Sequence, residues 1–464
     1  MRGYLNHQQI EYVLFHLFKH IEIDNQIRKT FVFLKSFDDI SKYQNSIIFL
    51  LSDKNIDLSG AVEIDGIPVL FPLSDNKNEF IKDNGNIIFQ HDLIKSSFYL
   101  LSGYQEYNST HVDKFGRYPY ENSVQAKFGF INKPIVNYYF EFIIKGIIEH
   151  SKSNSVSFAR KKPYNNFAFF LTHDIDRIKY FDINSLIYSA KLVLGLAKSN
   201  SKKIEQIREF INIGFNLINI FRKHDPYWNF DFLFSLEEKN NYRSSNYFLP
   251  KDKKHVDAYY SLNQKEIVDL FKLIKEKGFE IGLHGTARSS TSYEALQKIH
   301  HDFQQTTKLE EFGIRQHRLL WEHPSTAINQ NKIGFLYDTT LGFAGHEGFR
   351  NSYCFPFKLY DFEQNQMLPN WEIPLNAMDS TFFYYRKLNF EEAKDSINTI
   401  IKETAKYNGV FTLLWHNSFF NEKELPGITK FYIELLSQIK SYEPESLLGS
   451  EIIKRLKQEL REQK

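Results

Sequence analysis

From about residue 166 the chain repeats one rhythm, a short apolar run ending in polar residues, often followed by an amphipathic stretch. FAFFLTHDID, GFEIGLHGT, GIRQHRLLW, IGFLYDTTLG, NWEIPLNAMDS and GVFTLLWHNS each pass from apolar to polar. NQKEIVDLFKLIKEKG is the clearest intervening helix, with Ile267, Leu270, Phe271 and Ile274 on one face and Gly278 as a stop. EEAKDSINTIIKETAKYNG and GITKFYIELLSQIK are similar. Strands alternating with helices predict parallel β/α units, and polar residues at successive strand ends are the pattern of a barrel's active face. The expectation is an α/β fold, a distorted seven-stranded β/α barrel over 166–445. Residues 181 to about 245, helical and aromatic-rich, are expected as an insertion between the first two barrel strands. Residues 446–464 are expected to form a C-terminal helical tail.

The first 150 residues read differently. SIIFLLSD, IPVLFPLS and GNIIFQHDLI have strand character, and KPIVNYYFEFIIKGIIEHSK reads as a helix started by Pro134. A smaller α+β domain over 1–150 is expected, joined by a polar, basic linker over 151–165.

Composition narrows the function. Net charge is +2 and no long block of like charges occurs, which argues against a dedicated nucleic-acid or polybasic membrane binder. The single cysteine, Cys354, leaves no intramolecular disulfide and no cysteine metal cluster, and is expected as a packed thiol. The N-terminus lacks an apolar signal region, and no run of 18 apolar residues occurs. A cytoplasmic protein without stable membrane insertion is expected. Oligomeric state is not indicated.

The chemistry gathers at strand ends. Strand alternation puts Thr172, Asp174 and Asp176 on one face, and His173 and Ile175 on the other. Two inward carboxylates need neutralising, and a divalent metal does this while leaving one free as a base. Capping a helix or pairing with Arg177 would serve equally for either acid alone. The same alternation groups His284 with Glu280 and Gly282, Arg315 with His317, and His416 with Thr412 and Leu414. Each histidine alone could be a hydrogen-bonded barrel-mouth residue. Two acids and three histidines at one rim match metal-assisted hydrolysis better than a structural role.

Asp174-x-Asp176, then EIGLHGTARS, then an arginine-bearing strand end, then a late LLWH, resembles the NodB-homology polysaccharide deacetylases of carbohydrate esterase family four. The resemblance spans roughly 166–440. Ahead of it, FYLLSGYQEY, DKFGRYPYENS and GFINKPIVNYY resemble the N-terminal domain of some bacterial members. It implies a divalent metal, most often zinc, and removal of N- or O-acetyl groups from an acetylated oligo- or polysaccharide or its precursor, as in making cell-surface polysaccharide. It implies Asp174 as catalytic base, Asp176 and His284 as metal ligands, and His416 as general acid.

The chain departs from the family where a second histidine usually follows His284 by four residues, because that position is Arg288. A guanidinium cannot ligate a metal, so His317 is the candidate third ligand. Arg288 is then expected either to contact an anionic sugar or to lie on the surface. Asp379 is the candidate carboxylate partner of His416, with Asp338 behind it. Arg315, Arg350, Trp321 and Asp338 complete the substrate-side candidates, and Phe349 and Tyr353 beside Arg350 are offered as sugar-facing rings. Trp371 lies near a strand end. Trp415 is expected in the core. A hydrolase of another C–N bond, such as a ureide or cyclic amide, and a non-catalytic glycan-binding barrel are the alternatives.

Overall fold

The computed structural model describes residues 3–56, 62–197, 202–218, 225–252 and 257–461. Its C-terminal part is built on β1 (Ala168–Ile175), whose eight residues are all buried. A strand with no solvated face belongs at the centre of a covered parallel sheet, and β1 has parallel neighbours on both sides. β2 (Ser244–Phe248) and β3 (Glu280–Gly285) follow on one side, and β4 (Ile314–Gln316) lies beyond β3. On the other side, β5 (Ala377–Met378) lies beyond β6 (Val410–Leu414). The result is a curled parallel sheet of six strands in the order β4-β3-β2-β1-β6-β5, with β7 (Glu445–Ser446) pairing the start of β1.

Single parallel bridges, Ile314 to Asp338 and Asp338 to Glu372, continue the curl past β4. IGFLYDTTLG is therefore one bridge position and not the full strand expected. NWEIPLNAMDS divides between an antiparallel hairpin (Phe357–Asp361 with Gln366–Glu372) and the two-residue β5.

The helix Lys265–Glu276 buries Ile267, Leu270, Phe271 and Ile274, and Gly278 at φ +70° turns the chain back. In β3, Gly282 has no side chain because Tyr247 of β2 crosses that spot. A Cβ there would meet the tyrosine ring at 2.5 Å.

The N-terminal part holds a four-stranded sheet in the order Phe31–Leu34, Ile47–Leu50, Asn86–Phe89, Ile81–Asp83. The helix Ile135–Ser153 packs against it. Residues 151–165 are not all connection, since Phe158–Arg160 pairs antiparallel with Ile21–Ile23. One hydrophobic core runs through both parts of the chain. Tyr12 meets Tyr360 ring to edge at 5.1 Å, and Phe140 meets Tyr353 at 5.9 Å.

The segment between β1 and β2 contains the helices Ile183–Val193, Lys203–Ile218 and Phe230–Lys239, while 198–201 and 219–224 lie outside the described residues. The helix Gly449–Arg461 buries Ile452 and Ile453 in the common core.

Candidate active site

Asp174 and Asp176 stand at the C-terminal end of β1, where side chains from β3, the turn after β4, and the residues after β6 converge. Parallel strands put their C-terminal ends on one side of the sheet, so distant parts of the sequence meet there. Asp176, His284 and His317 each offer one ligand atom, all within 4.8 Å of one another.

Second contacts orient both histidines. His284 Nδ1 lies 2.8 Å from the Arg315 carbonyl, and His317 Nδ1 lies 3.2 Å from Asp257 Oδ1. Carbonyl and carboxylate oxygens accept, so each Nδ1 carries the hydrogen and each Nε2 keeps its lone pair. His284 Nε2 lies 3.3 Å from Asp176 Oδ1, and His317 Nε2 lies 3.8 Å from Asp176 Oδ2. Among the described residues, no hydrogen bond reaches the buried Asp176 Oδ1.

Burial pushes the Asp176 carboxyl up, but His317, His284 and His416 outweigh it and hold the group well below the usual carboxylate range. Burial pulls His284 down, yet Asp174 and Asp176 together leave it raised. Two imidazoles and a carboxylate with outer hydrogen bonds fit zinc or a similar divalent ion with coordination positions to spare.

Asp174 is held differently. Arg315 Nη1 donates to Asp174 Oδ1 at 2.8 Å and to Thr172 Oγ1 at 3.0 Å. Its Nε donates to the Thr339 carbonyl, and its guanidinium lies over the Tyr247 ring. Arg315 has no exposed surface, which corrects its expected role in substrate binding. It engages Asp174 through Oδ1, while Asp174 Oδ2 lies 3.5 Å from His284 Nε2.

His416 faces the cluster from just after β6, its Nε2 3.8 Å from Asp176 Oδ2. Asp379, which has no exposed surface, accepts from His416 Nδ1 at 2.8 Å and from the His416 backbone N–H at 2.6 Å. Burial alone would lower this imidazole, but Asp379, followed by Asp176 and Asp174, raises it to about 10. A cation in the cluster offsets the Asp176 and Asp174 contributions and leaves that of Asp379.

Other candidates lie elsewhere. Arg350 is buried and donates from Nε to Glu106 Oε1 at 2.9 Å, in the N-terminal part, so it neither binds substrate nor orients Asp174. Phe349 and Tyr353 have no exposed surface and are not sugar-facing rings. Asp338 does not support His416. It accepts from Gln330 and Thr340 beside Glu372, where burial raises both carboxyls, and it has no free face for substrate. Arg288 is exposed, 3.4 Å from Asp252, and stands outside the ligand cluster. Trp321 is mostly buried and lines a cleft of about 670 Å³ between the N-terminal segment around Glu106–Tyr118 and the loop after His317. Among the described residues, its indole N–H has no hydrogen-bond acceptor. Trp371, Trp415 and Cys354 are packed. Asp257 was not among the candidates, because DKKHVDAYY has neither strand nor helix periodicity to place it.

Residues 4–152 match a family model described as a family of unknown function, DUF7033. No curated protein sequence matches the chain. Among solved structures, similarity extends to a protein assigned as a polysaccharide deacetylase from Mycobacterium smegmatis. That match has 15% identity over 64% of this chain and 91% of the other, at a TM-score of 0.41. An allantoinase shares 13% identity over 62% of this chain and 90% of its own, at a TM-score of 0.40. A CE4 family pseudoenzyme from Bacillus anthracis shares 8% identity over 62% and 66%, at a TM-score of 0.31.

Proposed function

We propose that this chain is a metal-dependent hydrolase that removes acetyl groups, N- or O-linked, from a carbohydrate. The observation that carries the reading is the placement of Asp174 and His416 around the Asp176–His284–His317 cluster. Asp176, His284 and His317 are the ligands. A divalent ion held there supplies Lewis acidity to the acetyl carbonyl and makes water easier to deprotonate.

The chain's own groups divide the proton work. Asp174, held through one oxygen by Arg315, takes a proton from the attacking water through the other. His416, kept protonated by Asp379, gives a proton to the departing amine or hydroxyl. His416 Nε2 lies 3.8 Å from Asp176 Oδ2, so the base serves the incoming water and the acid serves the leaving group, on either side of one acyl carbon. The choice of a sugar follows from the motif order of Asp174, Asp176, His284 and His416. The Trp321 cleft beside the His317 loop gives an aromatic-lined space for sugar rings.

The test is acetate release from N-acetylated glucosamine oligomers and from O-acetylated xylan, with and without chelator. Release that stops on chelation and returns with zinc supports the reading. Zinc binding without acetate release, together with ring opening of a cyclic ureide, would transfer the site to the other C–N hydrolase class. Failure to bind any divalent ion would end the mechanism.

A further inference from the structure

The two helices that leave the rim after Asp176 are turned the wrong way for a protein surface. Along Lys203–Ile218, Ile204, Ile207, Ile211, Phe215 and Ile218 form one stripe at helical spacing, and all five are exposed. Ile211 is 61% exposed and Phe215 66%. The opposite side carries Ile213, which packs with Tyr180, Phe181 and Tyr227. Along Ile183–Val193 the inversion repeats, with Ser185 and Ser189 buried and Ile183, Ile187 and Tyr188 exposed. An ordinary surface helix buries its apolar stripe and solvates the polar one. Leu194 and Leu196 extend the exposed apolar surface beyond the first helix.

Charge accompanies this face. Among the described residues of the two helices and the residue before the second, Lys191, Lys202, Lys203 and Arg208 stand against Glu205 and Glu209. Glu209 is already engaged by Lys423 at 2.9 Å and by the Tyr180 hydroxyl. Lys191, Lys202 and Arg208 are exposed. No helix among the described residues is long and apolar enough to cross a membrane. An apolar stripe bordered by cations is the pattern of a helix lying in a lipid interface.

We propose that these two helices dock the protein on an anionic lipid surface. A second copy of the chain is the poorer occupant, since joining two such faces would bring like charges together. The hairpin's base is tied to the rim. Arg177 donates to Ser185 Oγ, and Asn417, next to His416, donates to the Arg177 and Tyr227 carbonyls. Docking thus sets the mouth of the site beside the lipid. If the site is the deacetylase proposed above, its substrate is a lipid-linked glycan, whereas the docking itself does not depend on that reading.

The test is co-sedimentation of the full chain with vesicles of phosphatidylcholine alone or mixed with phosphatidylglycerol. Binding is expected to the mixed vesicles, to weaken with salt, and to be much lower on phosphatidylcholine. The pair Ile211→Asp and Phe215→Asp is expected to lower partitioning by about tenfold or more, from the lost apolar burial. The pair Lys202→Glu and Arg208→Glu is expected to remove the preference for anionic vesicles. All four positions are exposed, and unchanged thermal melting would show that the variants fold. Wild-type protein left in the supernatant with anionic vesicles would overturn the proposal. So would a wild-type dimer that the Ile211→Asp and Phe215→Asp pair disperses without any vesicle binding, which would assign the face to a second copy.

Discussion

Arg315 and Asp174 form an ion pair at 2.8 Å, with the arginine wholly out of water and the aspartate nearly so. An enclosed pair of this kind is costly to break, because the remaining charge has no solvent to turn to. Arg315→Met is expected to destabilise the fold by about 3–5 kcal/mol in urea denaturation. The conservative Arg315→Lys should recover part of the stability but little activity, because an ammonium cannot reproduce the fork shared among Asp174, Thr172 and Thr339. Equal activity in the lysine variant would mean that charge alone suffices.

The ligand set separates by metal content. Elemental analysis of tag-free protein is expected to give about one zinc-class ion per chain in the wild type. His317→Ala and His284→Ala should lose it, and Arg288→Ala should keep it, since Arg288 stands outside the cluster.

Asp257 acts through His317. Asp257→Ala removes the acceptor for His317 Nδ1 and is expected to weaken zinc affinity by about 10–100-fold, read by competition with a chromophoric chelator. Unaltered affinity would show that His317 is oriented by other contacts.

His416 provides the pH dependence. Its imidazole is raised to about 10, with Asp379 the leading cause against burial. A raised folded value means that the stabilisation is complete below about 6.5, the unfolded value, and is lost as pH rises through about 10 in the metal-free protein. Asp379→Asn removes the leading source of the shift. The alkaline limb of the kcat profile should therefore move to lower pH, while zinc content stays unchanged.

Glu106 and Arg350 test the join between the two parts of the chain. Burial would push Glu106 up, but Arg350 outweighs it and holds the carboxyl at about 2. The stabilisation is present above the unfolded value of about 4.3 and is lost as pH falls through about 2. Arg350→Ala is expected to cost about 3–5 kcal/mol without lowering metal content. Loss of metal in a folded Arg350→Ala protein would contradict the separation between this pair and the site.

Much of the site was legible because it lies on strands or within two residues of their C-terminal ends. In an alternating strand one residue's direction settles its neighbours, so Asp174 with Asp176, and Arg315 with His317, could be placed together from their spacing. His317 itself sits in the turn after β4, one step beyond the strand in which it was expected. Arg350 was misread because a polar loop with aromatic residues suggests a solvated rim, and only the fold shows Glu106 waiting for it. Asp257 was invisible, since irregular backbone carries no period.

The helices Ile183–Val193 and Lys203–Ile218 mark another limit. Periodicity tells which residues share a helix face, but not whether that face turns toward the protein or away from it. The overall net charge of +2 also averages out the local excess of Lys191, Lys202, Lys203 and Arg208 on these helices.

The continuous core through both parts of the chain bears on how the molecule comes apart. Tyr12, Phe98 and Phe140 pack on Tyr360 and Tyr353 from the other side, so neither part possesses a finished surface where they meet. Cutting the chain between them would bare aromatic rings on both fragments and leave each sticky. Heating should melt the two together, as one calorimetric peak, and a family of shuffled or transplanted versions would have to inherit the matching rings in pairs.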